Sequence, residues 1–308
     1  MNNTLTAVAG LKVGHYTDKE GETGCTVIIA ADGAVAGVDV RGGAPGTRET
    51  DLMSPVNTVT TIHAVMIGGG SAYGLAAADG AMRWLEAQGT GFDVGLGVVP
   101  IVPAAALFDL LVGDFKARPT AEDGYTACEN ATDDPAPMGL VGAGTGATVG
   151  KLYGMPTASP AGLGSAARTL DNGVTVSALV AVNAFGNIVD PDSGKILAGT
   201  KNPSGEGFVD IIEKMSGDLS GTMFAFGQNT TLAVVATDAV MSKSEATKMA
   251  QMAHNGLAQT IRPVHTPLDG DTVFALATGK SGKSANLTVL GAVAADVLAQ
   301  AVLRAASR

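Results

Sequence analysis

Cysteine is almost missing from this 308-residue chain: Cys25 and Cys128 are the only two, too few for a disulfide framework or a four-ligand zinc site. Aromatic residues are also scarce at 4%, and charged residues reach only 16%. With 46% hydrophobic residues, so little charge excludes a solvated, disordered chain. Basic residues are the minority, 19 Lys and Arg against 29 Asp and Glu, and the formal charge of −10 opposes a phosphate backbone. No nucleic-acid partner is therefore expected. No run of about 18 or more apolar residues is free of Gly and polar breaks, so no membrane span is expected either. Met1–Asp18 has neither the basic start nor the apolar core of a signal peptide, and the expectation is a soluble, cytoplasmic protein. Histidine is limited to His15, His63, His254 and His265. No pair has metal-ligand spacing, and each reads as a hydrogen-bonded structural residue. The Gly-x-Ser-x-Gly elbow of the α/β-hydrolases does not occur. Nothing calls for a metal or an organic cofactor.

Small residues are abundant, with 42 glycines. Cores of Ala, Val and Gly let sheets and helices approach closely, which points to layered α and β structure. Strand-length runs occur at Thr26–Ala30, Ala34–Val40, Val59–Ile67, Val174–Val182, Leu232–Thr237 and Thr272–Thr278. The N-terminal ones lie too close together for helical crossovers, so a mixed sheet is expected. Four helices are predicted. Ser71 caps one running to about Ala87, and Pro103–Leu111 forms a short one. Ser242 to Glu245 reads as a capping box opening a helix to about Thr260, and Leu290–Ala305 forms the last. The segments Arg118–Pro137 and Lys201–Ser220 are the most linker-like, but apolar stretches flank both, so residues 1–308 read as one domain. The run Val141 to Ala147 fits a relaxed Gly-x-Gly-x-x-Ala dinucleotide pattern. An irregular segment precedes it and no acidic residue follows at the required distance, so close backbone packing is the simpler reading. Gly150-Lys151 fails as a P-loop, because Leu152 stands where Ser or Thr is needed.

Thr230-Thr231 stands at the mouth of an apolar strand, where two threonines suit an ordinary strand start. A sharper reading is that the Asn229–Thr230 bond breaks. Thr230 then carries an α-amine, of ordinary pKa about 7.7–8.0, beside its own hydroxyl. One residue supplies nucleophile and base, and no histidine is required.

Several blocks carry a resemblance in order along the chain: Val40 to Gly46, Gly68 to Leu75, Val141 to Lys151, Asn229 to Thr231, and His265 to Thr272. The chain resembles the P1-type peptidases related to L-aminopeptidase/D-esterase (DmpA-like), β-aminopeptidases and nylon-oligomer hydrolase. That resemblance implies an αββα four-layer sandwich, also seen in ornithine acetyltransferases. It implies self-cleavage into residues 1–229 and 230–308, and hydrolysis of small-molecule or short-peptide amides. Family members assemble as homo-oligomers of the cleaved pair. By position it makes Thr230 the nucleophile, Asp269 and Asp271 the partners that orient it, Lys151 the active-site lysine and Asn183 the donor toward the oxyanion. Unaided, Asp269-Gly270-Asp271 reads as a turn, and Asn183 as a turn residue. One departure stands out: the family's active-site tyrosine, expected in the short helix, is Phe108 here. Losing one oxyanion donor costs on the order of 100- to 1,000-fold in rate. Phe108 is then either a pocket wall or plain core, and Tyr73 or Tyr125 is a candidate substitute. The alternatives are acyl transfer to an amine, as in ornithine acetyltransferases, and a scaffold whose catalysis has drifted away.

Overall fold

The computed structural model describes residues 2–217 and 229–306. Residues 218–220 of the irregular Lys201–Ser220 stretch, and Phe226 to Gln228 ahead of Asn229, lie outside them. The main sheet has nine strands and is mixed, as the close spacing of the early strands requires. Its hydrogen-bonded path runs Gly162–Thr169, Thr175–Asn183, Thr230–Thr237, Thr272–Ala277, Thr23–Val40, Thr61–Gly68, Ala104–Ala106 and Thr47–Arg48, with Lys12–Asp18 paired to Thr23–Val40. The long Thr23–Val40 strand belongs to both halves. Its C-terminal part pairs with Thr272–Ala277, its N-terminal part with Lys12–Asp18 and Thr61–Gly68, and the register shifts between Ile29 and Ala34.

Side-chain alternation along these strands folds the sheet into a sandwich. Val176, Val180, Val235, Val273 and Ala275 pack against Met249, Leu257 and Leu298 of the helices Lys243–Thr260 and Leu287–Ala306. Their neighbours Leu179, Leu232, Val234 and Phe274 point the other way, onto Ile28, Val65 and Ile67. Beyond these, Cys25, Val27, Ala64 and Met66 meet Ala77, Ala81, Leu85, Ala127 and Cys128 of the helices Ala77–Ala87 and Ala121–Glu129. Three cores separate four layers, giving the αββα order, and the strands Thr175–Asn183, Thr230–Thr237 and Thr272–Ala277 bury both faces through their period of two.

Local expectations hold where capping chemistry is strong. Ser242 accepts from the Glu245 amide while its own amide donates to Glu245 Oε2 at 2.8 Å, and the helix runs Lys243–Thr260. The glycine-rich run after Val141 is closely packed backbone: a Cβ on Gly144 would lie 2.4 Å from the Leu163 nitrogen.

Other expectations fail for identifiable reasons. Pro103–Leu111 is not a helix; Ala104–Ala106 is a strand parallel to Thr61–Gly68, tied in by Met66 N–H to the Pro103 carbonyl and Leu107 N–H to the Gly68 carbonyl. A short run apolar on every side fits either period, and sheet pairing decides it. Ser71 does not cap a helix: it sits at φ +55° and opens the 3-10 segment Ser71–Ala76, before the helix Ala77–Ala87. The linker-like Arg118–Pro137 contains the helix Ala121–Glu129, whose Thr120 and Asp123 form a capping box hidden in a polar composition. Leu287–Ala306 is long and apolar enough by composition to cross a membrane, although 56% of its apolar window is buried in this fold.

Candidate active site

Strand register builds the site. Thr230–Thr237 runs antiparallel to Thr175–Asn183 and parallel to Thr272–Ala277, so Asn183 stands opposite Thr230. One residue earlier, Asn229 bridges to Asp269. Asn183 and Thr230 are both buried, at 0% and 4% exposure.

The Asn229 carbonyl oxygen is held by two donors. The Thr230 hydroxyl donates to it at 2.5 Å, and the Gly270 amide donates to it at 2.8 Å. The hydroxyl oxygen thus rests against the carbonyl group of its own preceding peptide bond. That oxygen already has a backbone donor of the kind that stabilises developing negative charge. Glycine is required at the donor: a Cβ on residue 270 would lie 2.7 Å from Thr230 Oγ1 and 2.6 Å from the Ala44 carbonyl oxygen. Gly270→Ala is therefore expected to displace the hydroxyl and slow any chemistry at this bond by on the order of 100-fold. A time course of chain integrity, with the unfolding midpoint as control, checks it.

The loop after Val40 clamps the same turn. Arg41 and Gly42 N–H groups donate to the Asp271 carbonyl at 3.0 and 3.3 Å, and Ala44 N–H donates to the Asp269 carbonyl at 2.9 Å. A Cβ on Gly42 would lie 2.2 Å from the Asp269 carbonyl oxygen, so two of the blocks quoted from the sequence are one packed unit.

The two carboxylates act on neighbours of Thr230 rather than on its hydroxyl. Asp269 accepts from Phe185 N–H at 3.2 Å and from the amide and hydroxyl of Thr266. Burial and then the adjacent Asp271 push its pKa up to about 6, against those hydrogen bonds. Asp271 accepts from Thr231 N–H at 2.7 Å on one oxygen and from His265 on the other.

Lys151 and Asn183 form the other wall. Lys151 Nζ donates to Asn183 Oδ1 at 2.7 Å, and Thr148 N–H donates to the same oxygen at 3.1 Å. Asn183 Nδ2 donates to the Phe108 carbonyl at 2.8 Å, and an amide nitrogen carries a second hydrogen that a substrate oxygen can take. Burial lowers the Lys151 pKa to about 7, and the negative charges of Asp269 and Asp109 hold it from falling further. A primary amine near that value exchanges a proton readily at neutral pH.

Phe108 follows a strand, not a helix; it is half-buried, and its backbone carbonyl serves the site by orienting Asn183. Tyr73 is 60% exposed with its ring 3.9 Å from the Arg118 guanidinium, and none of the hydrogen bonds joining Thr230, Asn183, Lys151 and the aspartates includes it. Tyr125 lies under Arg83. Among the described residues, neither tyrosine hydroxyl is hydrogen-bonded to Thr230, Asn183, Lys151, Asp269 or Asp271.

Asp109 escapes the sequence reading, and His265 reads there only as a hydrogen-bonded structural residue. Asp109 is 3% exposed, accepts from Gly70 N–H and from the Thr23 hydroxyl at 2.7 Å each, and its charge reaches Lys151. A carboxylate inside the apolar run from Ile101 to Leu111 was the signal for it. His265 touches Asp271, and its neighbourhood to the Asp-x-Asp turn was the signal there. An apolar groove of about 470 Å³ adjoins the site, lined by Phe185, Ile212, Met215, Pro263, Thr266 and Leu268. It shares Phe185 and Thr266 with the hydrogen bonds of Asp269. Among the described residues, no group of three or more His, Cys, Asp or Glu side chains is placed to hold a metal ion.

Comparison with known proteins identifies relatives of the whole chain. An uncharacterized aminopeptidase of Mycobacterium bovis is 47% identical, the match covering 98% of this chain and 92% of that protein. A 6-aminohexanoate-oligomer endohydrolase of Kocuria sp. is 32% identical over 96% of this chain and 84% of that protein. A Burkholderia sp. beta-aminopeptidase superposes with a TM-score of 0.73 at 22% identity, covering 99% of this chain and 86% of that one. An L-aminopeptidase D-Ala-esterase/amidase from Ochrobactrum anthropi, described as a variant of the Ntn hydrolase fold, also gives 0.73, at 20% identity over 99% and 85%. The sequence profile of Peptidase family S58 matches residues 3–308, and the chain, an αββα sandwich, belongs to this family of hydrolases.

Proposed function

We propose that the chain is a self-processing N-terminal-threonine amide hydrolase that cuts itself between Asn229 and Thr230. The observation that carries this reading is the Asn229 carbonyl oxygen, shared by the Thr230 hydroxyl at 2.5 Å and the Gly270 amide at 2.8 Å. In maturation, Thr230 Oγ1 bonds to the Asn229 carbonyl carbon, the C–N bond breaks, and the hydroxyl proton passes to the departing nitrogen. The product is an ester with a free α-amine at Thr230. Water then opens the ester, leaving an Asn229 carboxylate and a restored hydroxyl. Lys151, neutral above about pH 7, is suited to relay the proton.

In turnover the substrate acyl group takes the seat of Asn229, with its carbonyl oxygen on the Gly270 amide and the second Asn183 hydrogen. The Thr230 α-amine is the base, an acyl-enzyme forms, and water releases the acid. Asp269, Asp271 and Asn183 hold the strand ends and loops that align these groups. The aminopeptidase and 6-aminohexanoate-oligomer endohydrolase names of the relatives support substrates that are small peptides, amino-acid amides or ω-amino acid oligomers. The apolar groove beside Asp269 suits a hydrocarbon chain on such a substrate. The working form in this reading is a cytoplasmic homo-oligomer of cleaved pairs. Mass spectrometry and N-terminal sequencing test it: a small fragment beginning at Thr230 is expected, and an intact wild-type chain with full amidase activity overturns it.

A further inference from the structure

We propose that His265 is a positioning residue for the bond at Thr230: its ring N–H fixes the Asp271 carboxylate, which in turn anchors the backbone just past the nucleophile. This rests on the self-cleavage reading above.

Asp271 is completely buried. One of its oxygens accepts both the His265 amide at 3.0 Å and His265 Nδ1 at 2.8 Å. The other accepts Thr231 N–H at 2.7 Å. The carboxylate is therefore a bridge from His265 to the residue directly after Thr230. The same Asp271 oxygen already accepts the His265 amide, and we assign the facing Nδ1 as its second donor. The ring is fixed in turn: His254 stands edge-on with centroids 4.7 Å apart at 76°, and His254 Nε2 faces the Asp39 carbonyl at 3.0 Å. His265 also occupies the left-handed region at φ +57°, uncommon for a residue with a side chain. That backbone twist aims its amide and its ring nitrogen at one oxygen.

Take the ring donor away and a buried carboxylate loses one of its three hydrogen bonds. Its hold on Thr231 loosens, and so does the alignment of Thr230 Oγ1 with the Asn229 carbonyl. Misplacing reacting atoms by about 1 Å costs on the order of 100-fold.

The test separates donor from shape. Asn and Asp are nearly identical in size and both tolerate the left-handed region, but only Asn offers an N–H where His265 Nδ1 stands. Freshly purified wild type, His265→Asn and His265→Asp are followed by mass spectrometry as intact chain converts to two fragments. His265→Asn is expected to cleave within about threefold of wild type. His265→Asp, which loses the donor and also sets a like charge beside Asp271, and His265→Gly, which loses the donor alone, are each expected to be slower by on the order of tenfold or more. Where His265→Asp yields no folded protein, His265→Gly replaces it, keeping the left-handed backbone and deleting the donor. Equal rates for the donor-bearing and donor-lacking variants overturn the proposal. So does an Asn variant as slow as Asp, because the ring itself would then be what matters. A wild-type chain that never cleaves overturns the self-cleavage reading as well, and is recognised by the wild-type lane alone.

Discussion

Thr230→Ala is expected to remain one uncut chain of 308 residues and to lose amide hydrolysis by on the order of 10⁴-fold or more. The substitution deletes the single oxygen that lies against the Asn229 carbonyl, and with it both maturation and turnover. Its structural cost is small by comparison. Thr230 begins a strand whose inward residues, Leu232 and Val234, carry the packing, and its hydroxyl bonds only to Asn229 among the described residues. A folded but inert protein should result, with a cooperative unfolding transition near that of the wild type. Thr230→Ser keeps the oxygen and is expected to cleave at the same bond. Mass spectrometry of the three proteins, paired with release of an amine from an amino-acid amide, checks both halves. Cleavage of the Ala variant before residue 230 would assign the nucleophile elsewhere.

The layers of this fold were more legible than its site, for a physical reason. Short, near-continuous apolar and β-branched runs in Thr175–Asn183, Thr230–Thr237 and Thr272–Ala277 announce strands buried on both faces, and Ser242 with Glu245 announces a helix start. Those signals are local. The site is not: Asn183 reaches Thr230 only through antiparallel register, and Lys151 reaches Asn183 only because Gly150, at φ +73°, turns against the backbone of Thr200. Spacing along the chain holds no trace of such meetings, so Lys151, Asn183, Asp269 and Asp271 were readable only through likeness to a family. The two aspartates serve Thr231, Phe185 and Thr266 instead of the Thr230 hydroxyl, and Asn183 spends one amide hydrogen on Phe108. Phe108 itself was misplaced because an apolar run from Pro103 to Leu111 fits a helix as well as a strand, until the Thr61–Gly68 strand supplies its hydrogen bonds.

Lys151→Met is expected to make the protein more stable and nearly abolish self-cleavage. Burial lowers the Lys151 pKa from 10.5 in the free side chain to about 7. At about 1.4 kcal/mol per unit, keeping that ammonium inside costs on the order of 5 kcal/mol below pH 7. The sign follows from proton counting. Between about pH 7 and 10.5 the unfolded lysine still binds a proton that the folded one has released, so this group makes stability rise with pH across that window. Methionine, similar in length and uncharged, removes both the cost and the rise. Losing the donor to Asn183 Oδ1 returns part of the gain, roughly 1–3 kcal/mol, since Thr148 N–H still satisfies that oxygen. The net expectation is a few kcal/mol of added stability at pH 7, read by denaturant unfolding. Cleavage should move the opposite way. With a neutral amine as proton relay, the wild-type rate climbs about tenfold per pH unit on the acid side and levels off above about 7. Asp269, raised to about 6, titrates in the same region, and the variant distinguishes them: a limb owned by Lys151 disappears, and one owned by Asp269 persists at a lower rate. A Met variant that cleaves at the wild-type rate would leave the buried ammonium without a task. One that is firmer yet uncut would mean that a destabilising charge is kept inside this core because the reaction at Thr230 needs it.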